Sequence, residues 1–186
     1  MKVVFVAGIH AVGKSSACKT VSDKLGIPHF TASQIIRDEK SSAVSAESKL
    51  VTDIAENQRL LVQGVSRLLK NGQFLLDGHF TMRRKSDGNI EPIHVDVFRN
   101  LRVGGILLFI DHPENISKRM HARDGVLHPI EIFQSHQEAE IAHATYVANT
   151  LGLPMATLQA FDIKGMVKAI NAWGSVNSSI TRSASQ

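Results

Sequence analysis

Residues 8–15 read Gly-Ile-His-Ala-Val-Gly-Lys-Ser, so the second glycine follows the first after four residues and leads directly into lysine and serine. Glycines let the backbone curl until successive N–H groups point inward at an anion. Lysine and a hydroxyl at this spacing suit the phosphates and the magnesium ion of a nucleoside triphosphate. The pattern therefore predicts a phosphate-binding loop, or P-loop, at residues 8–15.

The segments on either side of the loop support this prediction. Residues 3–7 form an apolar run typical of a strand buried in a parallel sheet, and residues 14–25 indicate a helix that ends at Gly26. The helix N-terminus adds the positive end of its dipole to the phosphate site. We expect Lys14 to reach the β- and γ-phosphates and Ser15 to bind Mg²⁺, with His10 as a spacer. The expected nucleotide contacts are Gly8, His10, Ala11, Val12, Gly13, Lys14, Ser15 and Ser16.

Apolar runs alternate with helical patterns along the rest of the chain. Further strands are expected at 29–30, 74–77, 106–111 and 154–158, and further helices at 32–40, 47–70, 93–101, 113–123, 129–150 and 163–173. Residues 41–48 read as a hinge or loop, and residues 79–92 show turn chemistry without a period. The alternation predicts a three-layer α/β P-loop fold with a central, mostly parallel sheet of about five strands. Residues 1–174 should form one domain, and residues 175–186 a disordered tail.

The composition is that of a globular protein with a mild basic excess. Of 186 residues, 43% are apolar and 20% charged, and 21 basic against 17 acidic residues give a net charge of +4. A nucleic-acid surface could produce this charge, but a polyphosphate pocket accounts for it more simply. Cys18 is the single cysteine and is expected to be buried. No apolar run approaches the ~20 residues of a membrane helix, so we expect a cytoplasmic protein.

Several further segments contain aspartate, histidine and arginine residues in an order that is typical of one protein family. Residues 75–84 read Leu-Leu-Asp-Gly-His-Phe-Thr-Met-Arg-Arg, and residues 106–116 read Ile-Leu-Leu-Phe-Ile-Asp-His-Pro-Glu-Asn-Ile, followed by Arg119 and Arg123. Together with the P-loop and segments 88–99 and 138–148, they cover roughly residues 1–155. In this order they resemble the nucleoside monophosphate kinases, most closely the archaeal-type adenylate kinases.

The resemblance implies transfer of the ATP γ-phosphoryl group to a nucleoside monophosphate, by family default AMP or dAMP, with Mg²⁺ as cofactor. It implies a short acceptor-binding insert at about 31–70, a short lid at about 119–130 and a homo-oligomer, since the archaeal relatives are trimers. Lys14, Asp77 and Arg123 would be catalytic, and Ser15 with Asp77 would hold the metal. Arg119 would contact the nucleotide, and the acceptor would meet Arg37, Asp77, His79, Arg83 and Arg84.

One departure from the family leaves two alternatives open. The family's lid carries further arginines, whereas residues 124–129 here read Asp-Gly-Val-Leu-His-Pro. A short lid excludes water less well, and histidine is a poor permanent cation at neutral pH. The chain could instead be an ATP-binding regulator or ATPase that acts with a protein partner, or a kinase of a non-nucleotide small molecule. The nine histidines do not show zinc-ligand spacing with a carboxylate partner, so structural zinc is not expected.

Overall fold

The computed structural model describes residues 2–42, 53–84 and 87–183, and within these ranges it contains seven strands. They are β1 (Val3–Ala7), β2 (His29–Thr31), β3 (Leu75–Asp77), β4 (Thr81–Arg83), β5 (Ile90–Pro92), β6 (Val103–Ile110) and β7 (Met155–Gln159). Five of them form one sheet in the order β2-β3-β1-β6-β7, and every neighbouring pair in it is parallel. The expected parallel sheet of about five strands is confirmed.

The same described ranges contain seven α-helices, which alternate with the strands of this sheet. They are α1 (Lys14–Leu25), α2 (Ala32–Ser42), α3 (Asp53–Leu68), α4 (Val95–Asn100), α5 (Pro113–Asp124), α6 (Ile130–Leu151) and α7 (Ile163–Ser183). A 3₁₀ turn, Leu69–Asn71, follows α3. Within these ranges, no helix has the length and apolar character that crossing a membrane would require.

The central strand β1 shows why the fold has three layers. All five of its residues are buried, and alternate side chains point to opposite faces of the sheet. Val3, Phe5 and Ala7 join an apolar cluster that also contains residues of α3, α4 and α6. Val4 and Val6 join a second cluster with residues of α1 and α7. The sheet is therefore covered by helices on both faces, as a three-layer α/β fold requires.

Two segments differ from the expectation. Residues 79–92 contain an antiparallel hairpin, in which β4 pairs with β5 and Gly88 turns the chain at φ 73°. Strands of three residues are too short to display an alternating pattern, which is why the sequence indicates only a turn.

The last helix does not stop near residue 173 but continues to Ser183, so residues 175–183 extend a helix already packed at Met166 and Ile170.

The boundaries of the other helices and strands lie close to those that the sequence pattern predicts. Two predicted segments extend into residues 43–52, which lie outside the described residues. Ser41 and Ser42 belong to α2, while the rest of the expected loop at 41–48 lies outside the described residues. The expected helix at 47–70 is described from Asp53 onward. Helices α2 and α3 and strand β2 lie within the segment 31–70 or at its start, where the acceptor insert is predicted.

Candidate active site

The loop between β1 and α1 has the curled backbone that its glycines predict. Gly8 has a φ of 135° and Gly13 a φ of 103°, both in the region that favours glycine. A Cβ at Gly8 would also lie 2.5 Å from the carbonyl oxygen of Phe109, so this position has no room for a side chain. Ala11 adopts a φ of 62° between them, which tightens the loop further. Of the other expected contacts, Val12 is buried beneath the loop and Ser16 is exposed on the first turn of α1.

Lys14 lies inside the loop rather than in solvent. Its side chain is 6% exposed, its Nζ lies 3.6 Å from Oδ1 of Asp77, and it donates a hydrogen bond to the carbonyl of Ile9. Burial lowers the pKa of Lys14, while the negative charges of Asp77 and Glu140 act in the opposite direction. The lysine is thus a buried cation held at the loop by a carboxylate, at the position where a phosphate would arrive.

Ser15 and Asp77 form the second contact of this centre. Val6 of β1 pairs with Asp77, the last residue of β3, so parallel pairing places this carboxylate beside the loop. The Ser15 hydroxyl donates to Oδ2 of Asp77 at 2.5 Å. Mg²⁺ prefers oxygen ligands and is usually held by one or two protein oxygens together with water and substrate phosphates. The two side chains therefore fit a magnesium site.

Three imidazoles surround this centre. The ring centroids of His10 and His79 lie 4.4 Å apart, so the two imidazoles pack against each other. Desolvation against the loop, together with the charge of Lys14, lowers the pKa of His10 to about 4, although its outer edge is exposed. Nδ1 of His79 and Nε2 of His136 are buried and have no hydrogen-bond partner among the described residues. The rings surround the phosphate site as neutral groups.

Glu140 of α6 is a site residue that the sequence analysis did not select. Its side chain is 1% exposed, and its carboxylate accepts hydrogen bonds from the backbone N–H groups of Gly8 (3.3 Å), Phe80 (2.8 Å) and Thr81 (2.8 Å). The Thr81 hydroxyl adds a fourth at 2.5 Å. Burial raises the pKa of Glu140, and these hydrogen bonds oppose the rise. One carboxylate thus joins the P-loop, the segment after β3 and the hairpin.

The spacing of α6 contains the signal that could have identified Glu140. Phe133, Glu140, Ala144 and Val147 share the buried face of this helix. A carboxylate at a core-facing position is costly unless its charge is hydrogen-bonded, so its presence there indicates a polar partner across the interface.

Arg119 of α5 lies against the other side of the loop. Its Nε donates to the carbonyl of Ala11 at 2.6 Å, and its Nη2 donates to Asp111 at 2.5 Å. The guanidinium carbon is 5.5 Å from the centre of the Phe161 ring. Asp111 is itself held by the side chain of Gln137, which bonds both its N–H (3.0 Å) and its carbonyl (2.9 Å). A second connection therefore runs from α6 to the P-loop.

Arg123, one turn further along α5, is placed differently. Its side chain is exposed and pairs with the adjacent Asp124 at 2.6 Å and 2.8 Å. Its charge contributes to the lowered pKa of His10, so it lies near the loop although it does not contact it. The structure brings Arg119, but not Arg123, into hydrogen-bond contact with the nucleotide loop.

A cavity of about 550 Å³ opens from this centre towards α2, α3 and α4. One end, the phosphate end, is lined by His10, Lys14, Ser15, Asp77 and His79. At the other, the acceptor end, Arg37 and Lys40 line the cavity from α2, and Arg37 is steadied by a 2.7 Å hydrogen bond to Gln34. Lys40 is a cation of this cavity that the sequence analysis did not select.

Arg83 and Arg84 do not line the cavity, which corrects the predicted second clamp for the acceptor. Arg83 donates to the carbonyl of Gly88 at 3.1 Å, and Arg84 pairs with Asp87 at 3.5 Å and Glu91 at 3.2 Å. All these partners belong to the hairpin, and both side chains are exposed. The hairpin, which the sequence did not reveal, uses these arginines for its own turn and strands.

Comparison with known proteins gives the family. The family model described as AAA domain (AAA_17) matches residues 7–128, which is more than half of the chain. Adenylate kinase isoenzyme 1 of Bos taurus is 25% identical over 187 residues, covering 95% of this chain and 89% of that protein. Two solved structures share the fold. A gluconokinase from Sinorhizobium meliloti 1021 has a TM-score of 0.54 and 14% identity, with 98% of this chain and 96% of that chain covered. A shikimate kinase from Bacteroides thetaiotaomicron has a TM-score of 0.50 and 12% identity, with 97% of this chain and 98% of that chain covered. The chain accordingly belongs to the AAA domain family and is a P-loop protein of the nucleoside monophosphate kinase-like type that its motifs predict.

Proposed function

We propose that this protein transfers the γ-phosphoryl group of ATP to a nucleoside monophosphate, with AMP or dAMP as its acceptor. The observation that carries the proposal is the single cavity that joins Lys14 and the Ser15–Asp77 pair to the cations of α2. Phosphoryl transfer requires little covalent chemistry from a protein; it requires two substrates held in line and cations over the developing charge. A concave site with phosphate-binding groups at both ends meets this requirement.

On the donor side, the loop amides and Lys14 would hold the β- and γ-phosphates of ATP. Ser15, with Asp77, would hold Mg²⁺, which when bound neutralises part of the phosphate charge. Arg119 would contact the nucleotide beside Ala11, where it already lies. Arg123 would have to leave Asp124 to reach the phosphates, a small movement for an exposed side chain at the end of a helix.

On the acceptor side, Arg37 would hold the phosphate of the monophosphate, and Lys40 would assist it from the next turn of α2. Asp77 and His79 line the phosphate end of the cavity, where the acceptor phosphate would have to meet the transferred group. In this scheme Asp77 orients groups on both sides and does not form a covalent intermediate.

A coupled assay for ADP tests the proposal. ATP and Mg²⁺ are supplied with AMP, dAMP, CMP, GMP or UMP, and with no acceptor. We expect ADP formation that depends on a monophosphate, and we expect Lys14→Ala to raise the barrier by about 2–4 kcal/mol, the effect of losing one preorganised charge contact. Lys24→Ala, an exposed lysine at the far end of α1, is the matched control. Equal ADP formation without an acceptor would contradict the proposal.

The lid favours a second function, ATP hydrolysis in the service of a protein partner. Residues 125–129 carry no arginine, and Val126 and Leu127 are 51% and 76% exposed. A lid whose residues 125–129 are without arginine and expose apolar side chains is less suited to excluding water from the transferred phosphate than to contacting another protein. The acceptor-free arm of the assay measures this activity directly.

Adding gluconate and shikimate to the acceptors tests the remaining alternative, a non-nucleotide substrate.

A further inference from the structure

The acceptor end of the cavity is mainly apolar. Its walls include Ile36 of α2, Leu61 of α3, and Val97 and Phe98 of α4. Apolar walls of this kind suit a planar ring, which can be buried without leaving hydroxyl groups unpaired. Besides Arg37 and Lys40, the polar side chains that line the cavity from β2, α2 and α3 are Thr31, Ser33, Asn57 and Gln58.

One polar atom at this end has no partner. Oδ1 of Asn57, on α3, is buried and accepts no hydrogen bond within the described ranges 2–42, 53–84 and 87–183. An unsatisfied acceptor of this kind costs stability, so a buried one calls for a partner such as an ordered water, an ion or a ligand. Asn57 lies on α3 and the cations Arg37 and Lys40 lie on α2, and all three line the same cavity.

We propose that Asn57 binds the polar edge of the acceptor's base. This inference rests on the proposed function and names the residue that recognises the base. A primary amide presents a donor and an acceptor side by side, as does the edge of a nucleobase where an N–H group adjoins a ring nitrogen or carbonyl. The base lies between the apolar walls, its edge meets Asn57, and its phosphate meets Arg37 and Lys40. The acceptor is therefore a phosphate that carries a heteroaromatic base.

The test uses Asn57→Leu, which keeps the approximate shape and removes the amide. Isothermal titration calorimetry gives the Kd of AMP and of ribose 5-phosphate, which has the same sugar and phosphate but no base. We expect the Kd of AMP to rise about tenfold or more and the Kd of ribose 5-phosphate to change by under about twofold. The Tm of the ligand-free variant should equal or exceed that of the natural protein, because an unsatisfied polar atom has been removed.

Gln63→Leu is the matched control, since Gln63 is an exposed amide on the same helix outside the cavity. It should leave both Kd values unchanged.

If Asn57→Leu weakens the binding of AMP and of ribose 5-phosphate equally, or does not weaken the binding of AMP, the inference is overturned. A fall in Tm accompanied by a loss of ATP affinity also overturns it, because it would indicate a structural role. Calorimetry does not depend on turnover. A natural protein that binds AMP through Asn57 but forms no AMP-dependent ADP would overturn the proposed function alone.

Discussion

Glu140 illustrates how one residue can connect segments that are distant in sequence. Its carboxylate accepts from Gly8 at the start of the P-loop and from Phe80 and Thr81 after β3. These three N–H groups belong to buried residues. Without the carboxylate the loop and the hairpin would lose their common anchor, so Glu140 contributes to both stability and the shape of the phosphate site.

We expect Glu140→Ala to lower the free energy of unfolding by about 3–5 kcal/mol, because buried donors left without an acceptor each cost about 1–3 kcal/mol and water recovers part of that cost. Urea denaturation measures the change. Glu138→Ala is the control, since Glu138 is exposed two residues earlier on the same helix and bonds only Gln134. An unfolding free energy equal to that of Glu138→Ala would show that the four hydrogen bonds are not important to stability.

At the scale of elements, α6 braces the nucleotide loop from two sides. Glu140 bonds Gly8 at the start of the loop. Three residues earlier, Gln137 holds Asp111, which holds Arg119, which in turn bonds the carbonyl of Ala11. Residues three positions apart share a helix face, so a single surface of α6 supports both connections. The two connections therefore join one helix to both the start and the middle of the P-loop.

The second connection gives a prediction about nucleotide binding. Gln137→Ala frees the backbone of Asp111 and removes the support of Arg119, so we expect the Kd of ADP to rise about three- to tenfold, the cost of roughly one hydrogen bond. Calorimetry with ADP measures it, and the Kd of AMP should not change. Gln134→Ala alters an exposed glutamine one turn earlier and should have no effect. Equal losses for ADP and AMP would mean that α6 supports the whole cavity rather than the donor side.

Elements with a local signal were predictable from the sequence, and those set by tertiary contacts were not. The P-loop, β1 and α1 follow from glycine spacing, an apolar run and a glycine stop within about 25 residues. The hairpin has no such signal, and so Arg83 and Arg84 were wrongly expected in the cavity. Asp77 could be placed beside the loop because parallel strands end at the same edge of a sheet. Lys40 could not be placed, since only the packing of α2 brings it to the site. Glu140 left one indirect signal, a carboxylate at a core-facing position of α6, which indicates a polar partner but does not identify it.

At the scale of the whole molecule, four histidines with lowered pKa values all make the protein less stable at acidic pH. Burial lowers the pKa values of His29 on β2 and His136 on α6, and also those of His10 and His79. Between such a lowered pKa and the ordinary value of about 6.5, the unfolded chain binds more protons than the folded one. These histidines therefore leave the free energy of unfolding unchanged above about pH 6.5 and lower it as the pH falls below that value.

His136 allows this pH dependence to be tested at one residue. It is buried on α6, and its Nε2 has no partner in the part of the chain that the structure describes. We expect the Tm of the natural protein to fall from pH 7 to pH 5, and His136→Gln to reduce that fall because glutamine does not take up a proton in the unfolded state. His121→Gln, at an exposed position on α5, should leave the slope unchanged. Scanning calorimetry across this range measures both variants. If His136→Gln and His121→Gln gave the same slope, protonation of this buried imidazole would not contribute to acid unfolding.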